Sequence, residues 1–182
     1  MIEQFNDIRK RLEEFEEKRE ETIRNSREII SLSKQIIYSV QREDFEVDNL
    51  IKKINEKIKL LEKTQKYDTQ ISSVAFQEYV EAIVFYEFIK NKRIPGFIEL
   101  DVGVEDYLMG LCDLTGELAR KSVLAAIKNN VKDVEAIRDF VDDLHLEFLK
   151  LNLRNGELRK KYDSIKWNQR KIEDVLFSLK TK

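Results

Sequence analysis

Turn-forming residues are scarce. The 182-residue chain holds one Pro and five Gly, far too few for a fold that turns every 8–12 residues or so, and this excludes β-sandwiches and barrels. Its single Cys, Cys112, can close no internal disulfide and cannot build a Cys₄ or Cys₂His₂ zinc site. That cysteine usage reads as cytoplasmic. The single His, His145, excludes the di-iron bundle pattern of two Glu-x-x-His pairs. No apolar run reaches the roughly 18 residues of a membrane span. The stretch MIEQFNDIRK has no signal-peptide apolar region. Neither sign of charge dominates: 33 basic and 35 acidic side chains leave a net charge of −2, which argues against a uniformly basic nucleic-acid binder.

What remains is helical periodicity. Phe5, Ile8, Leu12, Phe15, Ile23, Ile29, Ile30, Ile36, Ile37 and Val40 recur mostly at three- and four-residue steps, which predicts one long helix over 3–41. Its apolar stripe requires partner helices. Asp48 or Asn49 is expected to cap a second helix running through Lys66, and Asp68 or Thr69 to open a third running to about Lys92. Pro95-Gly96 breaks the pattern. A fourth long helix is expected from Val104 to Asn129. A fifth follows Asn130 to about Leu151, and a last one follows the connection holding Gly156 and ends near Leu179. With no repeat and no low-complexity linker, residues 1–182 read as one all-α domain, a bundle of about six to seven long helices.

Charge is segregated along this bundle. Residues 52–66 carry six Lys against two Glu, residues 154–171 seven Lys/Arg against two acids, and residues 94–119 six acids and no base. Each basic run alone reads as a solvated helix face. Together they fit basic surfaces for a polyanion and an acidic pocket for a cation.

Two pairs of carboxylates look misplaced. On a helical wheel of about 100° per residue, Glu78 falls within about 40° of Ile71, Val74, Ala82, Phe85 and Ile89, with Glu81 about 60° away. An ionised carboxylate buried without a partner costs several kcal/mol. Asp113 and Glu117, four apart on the next long helix, form a second pair that repels along its own helix. If the helices are neighbours, four carboxylates converge. Oxygen ligands without His or Cys select a hard cation, Mg²⁺ or Mn²⁺, and such a site suits metal-assisted phosphodiester cleavage. The opposing reading is surface acids paired with Lys or Arg, for which Arg120 and Lys121 are at hand. Asp106 reads as a supporting acid, a cap or a surface residue. Gly110 and Gly116 interrupt a helix at about 1 kcal/mol each, through close helix approach or packing. Cys112 reads as a small core residue and His145 as structural or exposed.

At these residues the chain resembles the translin/Trax family. QEYVEAIVFYEFIK (77–90) and DYLMGLCDLTGELAR (106–120) look like Trax. KREETIRNSREIISLSKQIIYSVQR (18–42) is similar to both branches, and LNLRNGELRKKYDSIKWNQRKIEDVLFSL (151–179) is closer to translin. The resemblance implies a translin-like all-α subunit, assembly into a closed, roughly octameric shell, and single-stranded RNA inside it, with single-stranded DNA as a second candidate. It implies that Glu78, Glu81, Asp113 and Glu117 are the catalytic, metal-holding carboxylates of a Mg²⁺- or Mn²⁺-dependent endoribonuclease, with Glu81 a candidate general base. Translin, the inactive branch, has an apolar residue at the position of Asp113. The long Trax insertion between the two acidic helices is missing here, where only residues 91–103 stand, so a compact homo-oligomer is expected.

The translin motif LRKRYD matches Leu158-Arg159-Lys160-Lys161-Tyr162-Asp163. This places Arg159 and Lys160 at positions implied in RNA binding. Lys161 replaces an Arg, keeping charge but losing the bidentate fork. Arg19, Arg24 and Arg27 match the basic N-terminal region less well. Tyr162 and Trp167 are candidates to stack on bases, the alternative being burial. A non-catalytic nucleic-acid-binding shell is the competing function.

Overall fold

The computed structural model describes residues 2–64, 67 and 70–181. Seven helices and no strand occur among them: α1 (Ile2–Gln41), α2 (Asp48–Thr64), α3 (Ile71–Asn91), α4 (Phe97–Leu100), α5 (Val104–Ile127), α6 (Val131–Leu149) and α7 (Glu157–Lys180). Six are the expected long helices. The seventh, α4, is a single turn after Pro95-Gly96. It ends where Asp101 takes a left-handed conformation at φ 57°.

Boundaries moved where the backbone, not the apolar pattern, sets them. Asp48 is the first residue of α2 rather than its cap, with its carboxylate in the first turn, where the helix dipole favours it. The expected positions at Lys66, Asp68 and Thr69 lie outside the described residues. Helix α3 starts after Gln70 and stops at Asn91, because Lys92 turns left-handed. Helix α5 stops at Ile127, and Asn129 is left-handed at φ 55°. Asn130 precedes α6 as expected and caps it, its side-chain oxygen accepting from the Asp133 amide at 3.3 Å.

Helix α3 sits centrally, packed on α1, α5 and α2. Helix α5 lies between α3 and α7, and α6 packs on α7 and α5. The core runs through Ile29, Ile36 and Val40 of α1, Ile54 and Leu61 of α2, and Val80, Val84 and Phe85 of α3. It continues through Leu114 and Leu118 of α5, Ile137 of α6 and Ile165 of α7. From Ala75 to Tyr86 every residue of α3 is buried except Glu78. A helix covered on all sides reads as apolar all round, which is why a one-sided wheel describes it poorly.

Helix α1 finds its partner helices within the subunit over only part of its length. Its partners cover it only from about Thr22 onward. The apolar stripe before that, Phe5, Ile8, Leu12 and Phe15, is exposed, and Phe15 makes an edge contact with Tyr67, ring centroids 5.5 Å apart. Among the described residues no helix is long and apolar enough to cross a membrane.

Candidate active site

Glu78 and Glu81 come from the middle of α3, Asp113 and Glu117 from the facing stretch of α5. The close crossing of these helices is written into Gly110: a Cβ there would stand 2.7 Å from the Gln77 carbonyl oxygen and from Val80 Cβ. Gly116 has no such role, since its Cβ would meet only Asn168 Nδ2 at 3.8 Å. The two glycines that look alike in the sequence differ in what faces them.

Glu78 and Glu81 both lie within electrostatic reach of Asp113 and Glu117. Their burial reverses the wheel. Glu78, expected at the centre of the apolar stripe, is half-buried, while Glu81 is only 9% exposed. Burial is the main force on Glu81, and the negative fields of Asp113, Glu78 and Glu117 add to it. Together they push its carboxyl from about 4.5 up to about 8. Glu78 is raised by the same burial, partly opposed by Lys34 and then reinforced by Asp113.

Three residues outside the expected set hold the site. Gln41, at the last turn of α1 and 4% exposed, donates from Nε2 to the Glu117 carboxylate at 2.8 Å and to the Glu117 main-chain carbonyl at 2.9 Å. Its Oε1 is buried with no partner among the described residues. Lys161 of α7 donates to Asp113 Oδ2 and, at 2.9 Å, to Gln77 Oε1. Gln77 in turn donates to Ser73 Oγ at 2.8 Å and Asp106 Oδ1 at 3.1 Å, and Ser73 Oγ donates to the same Asp106 oxygen at 2.5 Å. Asp106 is therefore a supporting acid, not a cap. Gln77 lay inside the quoted acidic motif and could have been singled out as its polar neighbour. Gln41 carried no sequence signal, because it arrives from 76 residues away.

The basic neighbours divide unevenly. Arg120 reaches Glu117 at 3.9 Å. Lys121, expected as a possible partner of the acids, is buried elsewhere: its ammonium donates to the Val40 and Gln41 carbonyls at 3.3 Å and pairs with Glu43 at 3.5 Å, ending α1 from outside. Burial lowers its pKa, against the attraction of Glu43.

All the donors are oxygens, the chemistry of a hard cation. The unbalanced negative field on Glu81 and the orphaned Gln41 oxygen also fit a positive ligand. As they stand, however, no three His, Cys, Asp or Glu side chains among the described residues are gathered closely enough to hold an ion. Cys112 is fully buried with its thiol pushed up to about 12 by that burial, so it is a core residue and no nucleophile.

The expected phosphate contacts lie on exposed surface. Arg159 and Lys160 face solvent on α7, pairing with Asp163 at 3.9 Å and Glu157 at 2.6 Å. Arg19 leans on Glu16 and Glu20, both at 3.5 Å. Arg24 shares a shallow cleft with Glu13, Glu16, Glu17, Glu20 and Glu21, and Arg27 is exposed. Trp167 is 72% exposed. Tyr162 is corrected: it is 2% exposed and stacked on Phe148 at 5.5 Å, so no base can reach it. His145 is structural, its Nδ1 2.8 Å from Gln169 Oε1.

Comparison with known proteins agrees with this architecture. An uncharacterized protein of Methanocaldococcus jannaschii is 38% identical over 137 residues, 72% of this chain and 61% of its own length. The chain spans still less, 42%, of the translins that match it. Among solved structures, apo-NeC3PO superposes with a TM-score of 0.91 at 30% identity, covering 98% of both chains. The complex of AfC3PO with duplex RNA gives 0.88 at 25% identity, covering 98% of this chain and 97% of that one. The Translin family model matches residues 17–182, which takes in all four carboxylates and the basic ridge of α7: the chain belongs to the translin family.

Proposed function

We propose that this protein is a divalent-metal-dependent endoribonuclease that cleaves single-stranded RNA inside an oligomer of its own copies. The observation that carries the reading is Glu81, a carboxyl buried where α3 meets α5, beside three further carboxylates that no full set of bases neutralises. A fold that keeps such a cluster retains it against a cost of several kcal/mol.

Glu78, Glu81, Asp113 and Glu117 would hold Mg²⁺ or Mn²⁺, which supplies positive charge for the transferring phosphoryl oxygens and lowers the pKa of a water. The rest is chemistry of this chain. Gln41 fixes the Glu117 carboxylate in one orientation. Where it is not itself a direct ligand of the ion, Glu81, buried beside the other three carboxylates, suits a general base. Arg159 and Lys160 neutralise phosphates without reading bases. The solved AfC3PO complex with duplex RNA supports RNA as the class of partner. The exposed stripe Phe5, Ile8, Leu12 and Phe15 supports burial between subunits, with an octamer-like shell as the expected form.

A second reading, an RNA-binding shell without catalysis, is favoured by one observation: Lys161 already neutralises Asp113. Incubation with single-stranded and duplex RNA in Mg²⁺, then with EDTA, separates the two. Cleavage of the single strand that stops on chelation and falls at least a hundredfold in Asp113→Ala is expected. Binding without cutting, or an Asp113→Ala variant as fast as wild type, refutes the nuclease.

A further inference from the structure

We propose that Lys161 is the resident counter-ion of the acidic cluster, its ammonium occupying Asp113 until a divalent cation displaces it. The inference rests on reading the four carboxylates as a cation site, and it adds a residue that competes with the cation rather than holding it.

Helix α7 turns its solvent face outward with Arg159 and Lys160, while the next residue, Lys161, points inward to Asp113. The ammonium is not there by chance of rotamer. Gln77 is 6% exposed, and its amide nitrogen is committed to Ser73 and Asp106. That leaves its carbonyl oxygen aimed at Lys161. The chain Asp106–Gln77–Lys161–Asp113 therefore places one positive charge on one carboxylate of the cluster.

An ammonium and a divalent ion cannot both sit on Asp113 Oδ2. Loading the site must break this ion pair, and the displaced charge continues to repel the newcomer at close range. Both side chains of the pair are about one-third exposed, at 32% and 34%, so a cation can approach from solvent and the lysine can swing away. Lys161 is thus a positioning residue. It holds the cluster together when no ion is present and sets the affinity with which an ion enters. Elsewhere in the cluster the offsetting charges are held less closely: Arg120 reaches Glu117 only at 3.9 Å, and Lys34 acts on Glu78 through space.

The test is Mn²⁺ binding to the full chain without RNA, read as the loss of the free-ion signal in electron paramagnetic resonance. Wild type, Lys161→Met, Lys161→Gln, Lys161→Arg and Asp113→Asn are compared. Lys161→Met and Lys161→Gln are expected to bind Mn²⁺ at least tenfold more tightly than wild type, Lys161→Arg without gain, and Asp113→Asn more weakly. If Asp113→Asn weakens binding while removal of the lysine charge leaves it equal or weaker, the counter-ion inference is overturned and the cation site stands. If no variant takes up Mn²⁺, the cation site and the inference fall together. Uptake that appears only once the lysine charge is removed supports both.

Discussion

Gly110 presses its bare Cα side against the main-chain carbonyl of Gln77, so closely that a methyl group there would lie 2.7 Å from the oxygen. A contact that short with backbone cannot be relieved by a side-chain rotation. Gly110→Ala must push α5 off α3, and overpacking of this kind typically costs about 1–3 kcal/mol. Gly116→Ala meets nothing closer than 3.8 Å and should gain up to about 1 kcal/mol of helix propensity. Urea midpoints of the two variants are expected to move in opposite directions. Equal shifts would show that the crossing is not set at Gly110.

The raised pKa of Glu81 makes stability depend on pH with a definite sign. Its folded value, about 8, lies above its ordinary value of about 4.5. Below about 4.5 both folded and unfolded chains hold the proton and nothing is lost. Between about 4.5 and 8 the unfolded chain sheds the proton while the folded one keeps it, so stability falls as pH rises, by several kcal/mol across the window. Glu81→Gln removes this dependence. With EDTA present, melting of Glu81→Gln is expected to match wild type near pH 4 and to exceed it by several degrees at pH 8.5. A gap that stays constant from pH 4 to pH 8.5 would contradict the assignment.

The sequence carried the long helices because their apolar spacing is a local property. The sequence also marked Glu78 and Glu81, because charge in apolar company stands out in one dimension, and Asp113 with Glu117, because like charges four apart repel along one helix. It misjudged which of the α3 acids is deeper, since a wheel assumes one covered face and α3 is wrapped by α1, α2 and α5. Gln41 and the inward turn of Lys161 could not be read, because both arise from helices packing across long sequence separations. Tyr162 sits in a basic motif but faces Phe148, a partner supplied by α6.

Gln41 tests whether the orientation of Glu117 matters to chemistry. Its amide spans the Glu117 carboxylate and the Glu117 backbone carbonyl, locking that side chain from a different helix. Gln41→Leu keeps similar bulk and removes both bonds. On the nuclease reading, kcat for RNA cleavage is expected to fall at least tenfold with KM little changed, because RNA contacts lie on α7. A rise in KM at constant kcat would assign Gln41 to RNA binding instead.

The exposed basic residues differ in how much charge they have to give. Arg159 and Lys160 pair with Asp163 and Glu157, but all four side chains are exposed, and such pairs are worth about 0–1 kcal/mol. They are readily exchanged for phosphates. Arg24 instead lies in a cleft with five glutamates, whose field repels a polyanion. Replacing Arg159 and Lys160 together by Ala is therefore expected to weaken RNA binding by a similar factor for every sequence. The slope of log affinity against log salt should fall by about 1.4, roughly 0.7 for each single-strand phosphate contact. Arg24→Ala is expected to leave that slope unchanged. The comparison is a salt titration of binding to a fluorescent single-stranded oligonucleotide, and a larger loss from Arg24→Ala would move the RNA path from α7 to α1.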